Sequence, residues 1–166
     1  MENTDNKKLL PKQFSSGRVN NFLLFIVTCG FVGYLPGAPG TYASILGCFI
    51  LYFFPFSSFF INMIFLCCLI PVSILCINIL EYHDDDPSYI VIDELAGMSV
   101  TMAGHEANLL NIITGFILFR FFDIIKCYPV KQVERFKKGY GVVADDVLAG
   151  IFANMVICLG YAILKK

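Results

Sequence analysis

Three groups of charged residues stand within or at the head of apolar runs in this chain, and they limit its folds more than any other feature. Asp93 and Glu94 sit side by side in YIVIDELAGMSV. Arg120, Asp123 and Lys126 punctuate GFILFRFFDIIK, and Asp145 and Asp146 head VLAGIFANMVICLGYAIL. A charge inside a bilayer-spanning segment costs several kcal/mol unless it is paired, hydrated or bound to an ion. Three such clusters imply a shared polar site between helices. Many carboxylates with a few cations suit a metal and a phosphate.

Composition supports the membrane setting. Hydrophobic residues make up 57% of the 166 residues and charged ones 15%, against about half and about a quarter in soluble chains. The length suits one unit: a polar cytoplasmic tail over 1–19, then a single membrane domain over 20–166. No cleavable secretory signal is expected in the polar first stretch. Six of the seven cysteines lie in apolar runs, where Cys acts as a small hydrophobe, so no disulfide framework is expected.

The fold class expected is all-α, a polytopic membrane bundle of about six helices. The segments run over 20–32, 42–54, 59–80, 89–104, 109–126 and from 144 to the end, with Pro71 kinking the third. A Gly/Pro loop covers 33–41, an acidic loop holds Asp84, Asp85 and Asp86, and a basic segment follows Lys126. The positive-inside rule puts the basic tail and the basic segment on the cytoplasmic side. An even number of crossings must separate them, but five segments lie between, so one is expected not to span. The first, short of the roughly 20 residues a span needs, is expected to be short or re-entrant. All the charged clusters then reach one face.

Each cluster has a plainer alternative. Asp145 and Asp146 could cap a helix, where its dipole favours acids. Arg120 and Asp123, three apart, share a helix face and could form an internal salt bridge; Lys126 extends that face. Asp84 and Asp85 suit a solvated loop, and Asp86 a cap. In GYLPGAPGTYAS, Gly37 and Gly40 allow close backbone approach, and Thr41 or Ser44 could cap a helix and donate to an oxyanion. The loop lacks the Gly-Lys-Ser/Thr ending of a P-loop and serves equally as a structural turn. His83 and His105 have no partner at metal-ligand spacing. Absent Cys-x5-Arg, Asp-x-Asp-x-Thr and paired-His patterns argue against cysteinyl-, aspartyl- and histidyl-phosphate routes. Metal-assisted attack by water or by a carboxylate remains.

The stretches LPGAPGTYAS, DPSYIVIDELAGM, RFFDIIKCYPV and GYGVVADDVLAG, in this order, resemble the phosphatidylglycerophosphatase A family. One departure is Cys127, where the family usually has Pro; Pro129 is kept. The resemblance implies a bacterial inner-membrane enzyme, multi-pass with its site facing the cytoplasm. It would hydrolyse phosphatidylglycerophosphate to phosphatidylglycerol with Mg²⁺. On that reading Asp93, Glu94, Asp145 and Asp146 hold the metal or position the attacking water. Arg120 and Lys126, with Thr41 and Ser44, bind phosphate, and Asp123 orients them or joins the metal. The expected partners are the substrate and membrane lipids, with no nucleic acid. A small transporter passing ions along its charges is the runner-up. A CDP-alcohol phosphotransferase would need an Asp-Gly-x-x-Ala-Arg signature, absent here. A non-catalytic assembly protein, its charges acting as interhelical glue, is a further alternative.

Overall fold

The computed structural model describes residues 18–54, 59–80, 88–125 and 139–164. The expected tail, the acidic loop with His83, Lys126 and the basic segment lie outside them. Six α-helices make up the described residues: α1 (Arg18–Val27), α2 (Pro39–Phe53), α3 (Phe59–Ile79), α4 (Ile92–Thr101), α5 (Leu109–Ile125) and α6 (Gly139–Leu164). A short 3-10 turn, Val32–Tyr34, links α1 to α2. The all-α expectation holds.

α4 is the hub, packed against α2, α3, α5 and α6. Eight of its ten residues are buried. Neighbouring helices alternate around it in direction. Asn62 at the start of α3 donates to Ser99 O at the end of α4 (3.0 Å), so α3 runs antiparallel to α4. α5 does the same: Gly115 packs on Thr101 and Met102, while Phe119 reaches back to Gly97. α6 lies parallel to α4, and their backbones touch at glycines. A Cβ on Gly150 would fall on Gly97 O, and one on Gly97 would lie 2.8 Å from Asp146 O. Small residues permit such contact, which is how helices associate where lipid removes the hydrophobic driving force.

Among the described residues, two helices are long and apolar enough to cross a membrane: α3, with 21 residues, and α6, with 26. The outer surface is apolar. Phe60 is 77% exposed, Leu110 75% and Ile163 71%, where water would leave a large unfavourable patch and lipid does not. The expected crossing count counts α4 as a full span. At ten residues it is only about 15 Å long, half of a hydrocarbon core of about 30 Å. Its buried end is served by Asn154 of α6, whose amide donates to Val100 O, Thr101 O and Ala103 O (3.3, 2.9 and 2.8 Å).

Several boundaries differ from expectation for physical reasons. α2 begins at Pro39, not Tyr42, because proline's fixed φ suits a first helical turn. Ala38 is its N-cap with no side-chain bond, so neither Thr41 nor Ser44 caps it. α6 is already helical at Gly139, where Asn78 Oδ1 of α3 accepts from Gly139 N (3.1 Å). Asp145 and Asp146 therefore lie about two turns inside the helix and do not cap it. Asp93 and Glu94 instead occupy the first turn of α4. α3 keeps its expected bounds to within one residue, with Pro71 inside it. α1 ends at Val27 and stays at one end of the bundle. Its buried Leu23 and Val27 pack with Ile77, Leu80, Ile92 and Val143, all beside the start of α4.

Candidate active site

The alternating directions gather one end of each main helix in one place. α4 brings Asp93 and Glu94, α6 brings Asp145 and Asp146, α5 brings Arg120 and Asp123, and α2 brings Gly40. Asp93, Glu94 and Asp146 each place a carboxylate oxygen within 4.8 Å of the others. Asp93 is 7% exposed, Asp146 5%. Asp93 Oδ1 and Glu94 Oε2 are out of solvent contact with no hydrogen-bond partner. Asp123 and Asp145 also face Asp146, Asp123 within hydrogen-bonding reach.

Charge balance makes the cluster unusual. Beyond Arg18 at the start of α1, Arg120 is the only lysine or arginine among the described residues. Its guanidinium is engaged: Nη1 lies 2.6 Å from Asp123 Oδ2. The salt bridge foreseen at that spacing forms, and it also faces Glu94. Arg120 Nε is buried without a partner. Like carboxylates this close cannot all stay charged without a proton or a cation between them. Three hard oxygen donors from two helices, two with orphaned lone pairs, fit a divalent cation such as Mg²⁺.

The Gly/Pro loop reaches the site through one residue. A Cβ on Gly40 would land on Glu94 Oε1 and lie 3.3 Å from Arg120 Nη1. The backbone at the start of α2 thus presses against the acid and the base together, and the positive end of its dipole points there. Gly37, at φ +102, makes the turn that glycine alone adopts cheaply. Thr41 sits in the first turn of α2. Ser44 departs from expectation: it is fully buried and its hydroxyl donates back to Gly40 O (2.8 Å), so its proton is not offered to a ligand.

No motif marks Cys29 as a neighbour of this region. Its Sγ lies 3.8 Å from Val91 O. Burial, then the Glu94 carboxylate, push its thiol up to about 12. It is an inert neighbour, as thiolate chemistry needs the opposite shift. All six described cysteines are free thiols. His105 lies at the far end, stacked on Tyr161 (ring centroids 5.9 Å), and its exclusion from the site stands.

The family model for phosphatidylglycerophosphatase A matches residues 25–161, which takes in every element of this site. The chain belongs to the phosphatidylglycerophosphatase A family. A Haemophilus influenzae protein named phosphatidylglycerophosphatase A is 33% identical over 81% of this chain and 86% of its own length. The Escherichia coli protein of the same name is 27% identical over 74% and 72%. A Bacteroides thetaiotaomicron protein whose name reads "Putative phosphatidylinositol-3-phosphatase" is 36% identical over 84% of this chain and 94% of its own. No solved structure matches. A phosphatidylglycerophosphatase A family member is a phosphatase. The apolar surface and the two span-length helices among the described residues suit a membrane setting.

Proposed function

We propose that this protein is a Mg²⁺-dependent lipid phosphatase that converts phosphatidylglycerophosphate to phosphatidylglycerol and phosphate, at the cytoplasmic face of a bacterial inner membrane. The observation that carries the reading is the carboxylate triad Asp93, Glu94 and Asp146, beside Arg120 and at one end of a lipid-facing bundle. The family match and the names of two relatives support the substrate.

Asp93, Glu94 and Asp146 would hold the cation, with Asp145 as a further acid beside them. When bound, Mg²⁺ would supply positive charge against the phosphate. Arg120 offers its unpartnered edge to a phosphate oxygen, since a guanidinium is a planar fork of donors. Asp123 holds that fork in place through the 2.6 Å ion pair. Lys126, three residues beyond Asp123 in the sequence, would add a second cation, and Thr41 a hydroxyl at the start of α2. A carboxylate left outside the cation shell can take the proton from the attacking water. A site at one end of the helices lets the phosphate enter while the acyl chains stay in the membrane.

The ion-passage alternative gains no support. Among the described residues the acids and Arg120 gather at one end of the bundle, and only Glu106 lies in the loop at the other. An ion path needs charges along its length. A second lipid reading has one observation in its favour, the Bacteroides relative named for a phosphoinositide. The test is phosphate release from phosphatidylglycerophosphate by detergent-purified protein, with and without Mg²⁺, beside Asp146→Asn. Release that needs Mg²⁺ and is lost in the variant supports the proposal. Release only from phosphatidylinositol 3-phosphate would transfer it to the second lipid. Full turnover by Asp146→Asn would remove that carboxylate from the site.

A further inference from the structure

The segment between α1 and α2 carries a feature that the proposed chemistry does not use. Cys29 (φ +48), Gly30 (φ +72) and Phe31 (φ +71) are three consecutive residues in the left-handed region. Two of them are not glycine, and such a conformation persists only where the surroundings impose it. Here they do. Phe31 N donates to Thr28 Oγ1 (3.0 Å) and Gly33 N to Thr28 O (3.0 Å). Val91 N donates to Val27 O (2.9 Å), and Gly33 packs hard on Tyr89 O. The turn is thus fastened to the residues that lead directly into Asp93 and Glu94.

Its effect is a ladder of rings. Phe25 meets Phe31 edge to face (5.5 Å), Phe31 stacks on Tyr34 (6.2 Å) and Tyr34 on Tyr89 (5.7 Å). The outer end is lipid-facing: Phe25, Phe31 and Leu35 are all exposed. The inner end is Tyr89, four residues before Asp93. Between them the ring of Tyr34 is held on both faces, yet its hydroxyl oxygen is out of solvent contact with no hydrogen-bond partner. Buried polar groups in native proteins are almost always bonded, and an exception needs an explanation.

We propose that Tyr34 is a substrate-specificity residue, its phenolic hydroxyl donating to the phosphodiester that joins the diacylglycerol of the lipid to its terminal phosphoglycerol. The order along the ladder selects that group. Acyl chains lie against Phe25, Phe31 and Leu35, the terminal phosphate goes to Arg120 and the acids, and the linking diester falls between. This rests on the lipid-phosphatase reading above and adds the contact that selects the headgroup.

The test compares wild type with Tyr34→Phe, which keeps the stacked ring and deletes only the hydroxyl. Three quantities are read: kcat and surface KM for phosphatidylglycerophosphate in mixed micelles, Ki for inorganic phosphate, and Tm of the unliganded protein. The expected result is KM raised about ten- to a hundredfold, the worth of one hydrogen bond to a charged group, with kcat and the phosphate Ki unchanged. Tm should be equal or higher, because an unpaired buried hydroxyl has been removed. A lowered Tm would mean the hydroxyl bonds within the protein and would overturn the proposal. So would an unchanged KM, or a phosphate Ki that rises in step with KM. Wild-type protein that releases no phosphate from this lipid would instead refute the underlying function, and the Tyr34 assignment with it.

Discussion

Replacing Gly40 by alanine separates the site from the fold. The new methyl would overlap Glu94 Oε1 and stand 3.3 Å from Arg120 Nη1. An ordinary contact begins near 3.4 Å, so the carboxylate must withdraw by about 1 Å. It can do so cheaply, because it is the free end of a side chain. The backbone at Gly40 has ordinary helical geometry, and alanine is the better helix former by up to about 1 kcal/mol. Stability should therefore hold or rise slightly. Activity should not, because a misplacement of about 1 Å at a reacting centre can cost about a hundredfold. The assay is kcat/KM for phosphate release beside thermal unfolding of the same preparation. A fall of about a hundredfold with unchanged Tm is expected. Activity within twofold of wild type would refute the claim that Gly40 sets the position of Glu94. A collapse of Tm would refute the claim that the clash is absorbed by a side chain.

Gly150→Ala should do the reverse: its methyl meets the carbonyl of Gly97, which cannot swing away, so unfolding should become easier by about 1–3 kcal/mol, read as a lower Tm. Asp146→Asn should raise the Tm of cation-free protein, since it removes one charge from a buried like-charged group. Mg²⁺ at about a hundredfold its Kd should stabilise wild type by about 2.7 kcal/mol and the variant far less, as differential scanning fluorimetry would report. Burial lowers the pKa of His105 below its ordinary 6.5, so the fold holds the neutral ring. As pH falls below about 6.5 the unfolded chain takes the proton first and stability drops. His105→Gln should flatten the pH dependence of Tm between pH 7 and 5, and an unchanged profile would show that this ring does not titrate differently in the fold.

Much of the site was legible because its cost is legible. Asp93, Glu94, Asp123 and Asp146 stand among residues that apolar helices favour, so composition alone marks them. The Arg120–Asp123 pair followed from three-residue spacing, and the close approach at Gly40 from the Gly/Pro loop. What could not be read depends on partners distant in sequence. The early start of α6 needs Asn78 of α3 to accept from Gly139. The short α4 needs Asn154 to serve its last carbonyls, and neither asparagine announces that task. Ser44 looked available because a hydroxyl in a glycine loop usually is. Once the helix began at Pro39, its hydroxyl lay four residues beyond the Gly40 carbonyl and bonded there. Tyr34 was invisible for the opposite reason: only the folded ladder shows its hydroxyl to be without a partner.

The parallel packing of α4 on α6 keeps one register along its length. Residue n of α4 stands beside residue n + 53 of α6: Asp93 by Asp146, Gly97 by Gly150, Thr101 by Asn154. These three rungs are one helical turn apart, so the pair behaves as a vernier. A slide of one residue, about 1.5 Å with a turn of about 100°, would misalign the carboxylates, the glycine contact and the asparagine clamp together. The acids are thus gauged from the opposite end of the bundle. An insertion or deletion anywhere between Asp93 and Thr101 should silence the enzyme as surely as removing a carboxylate.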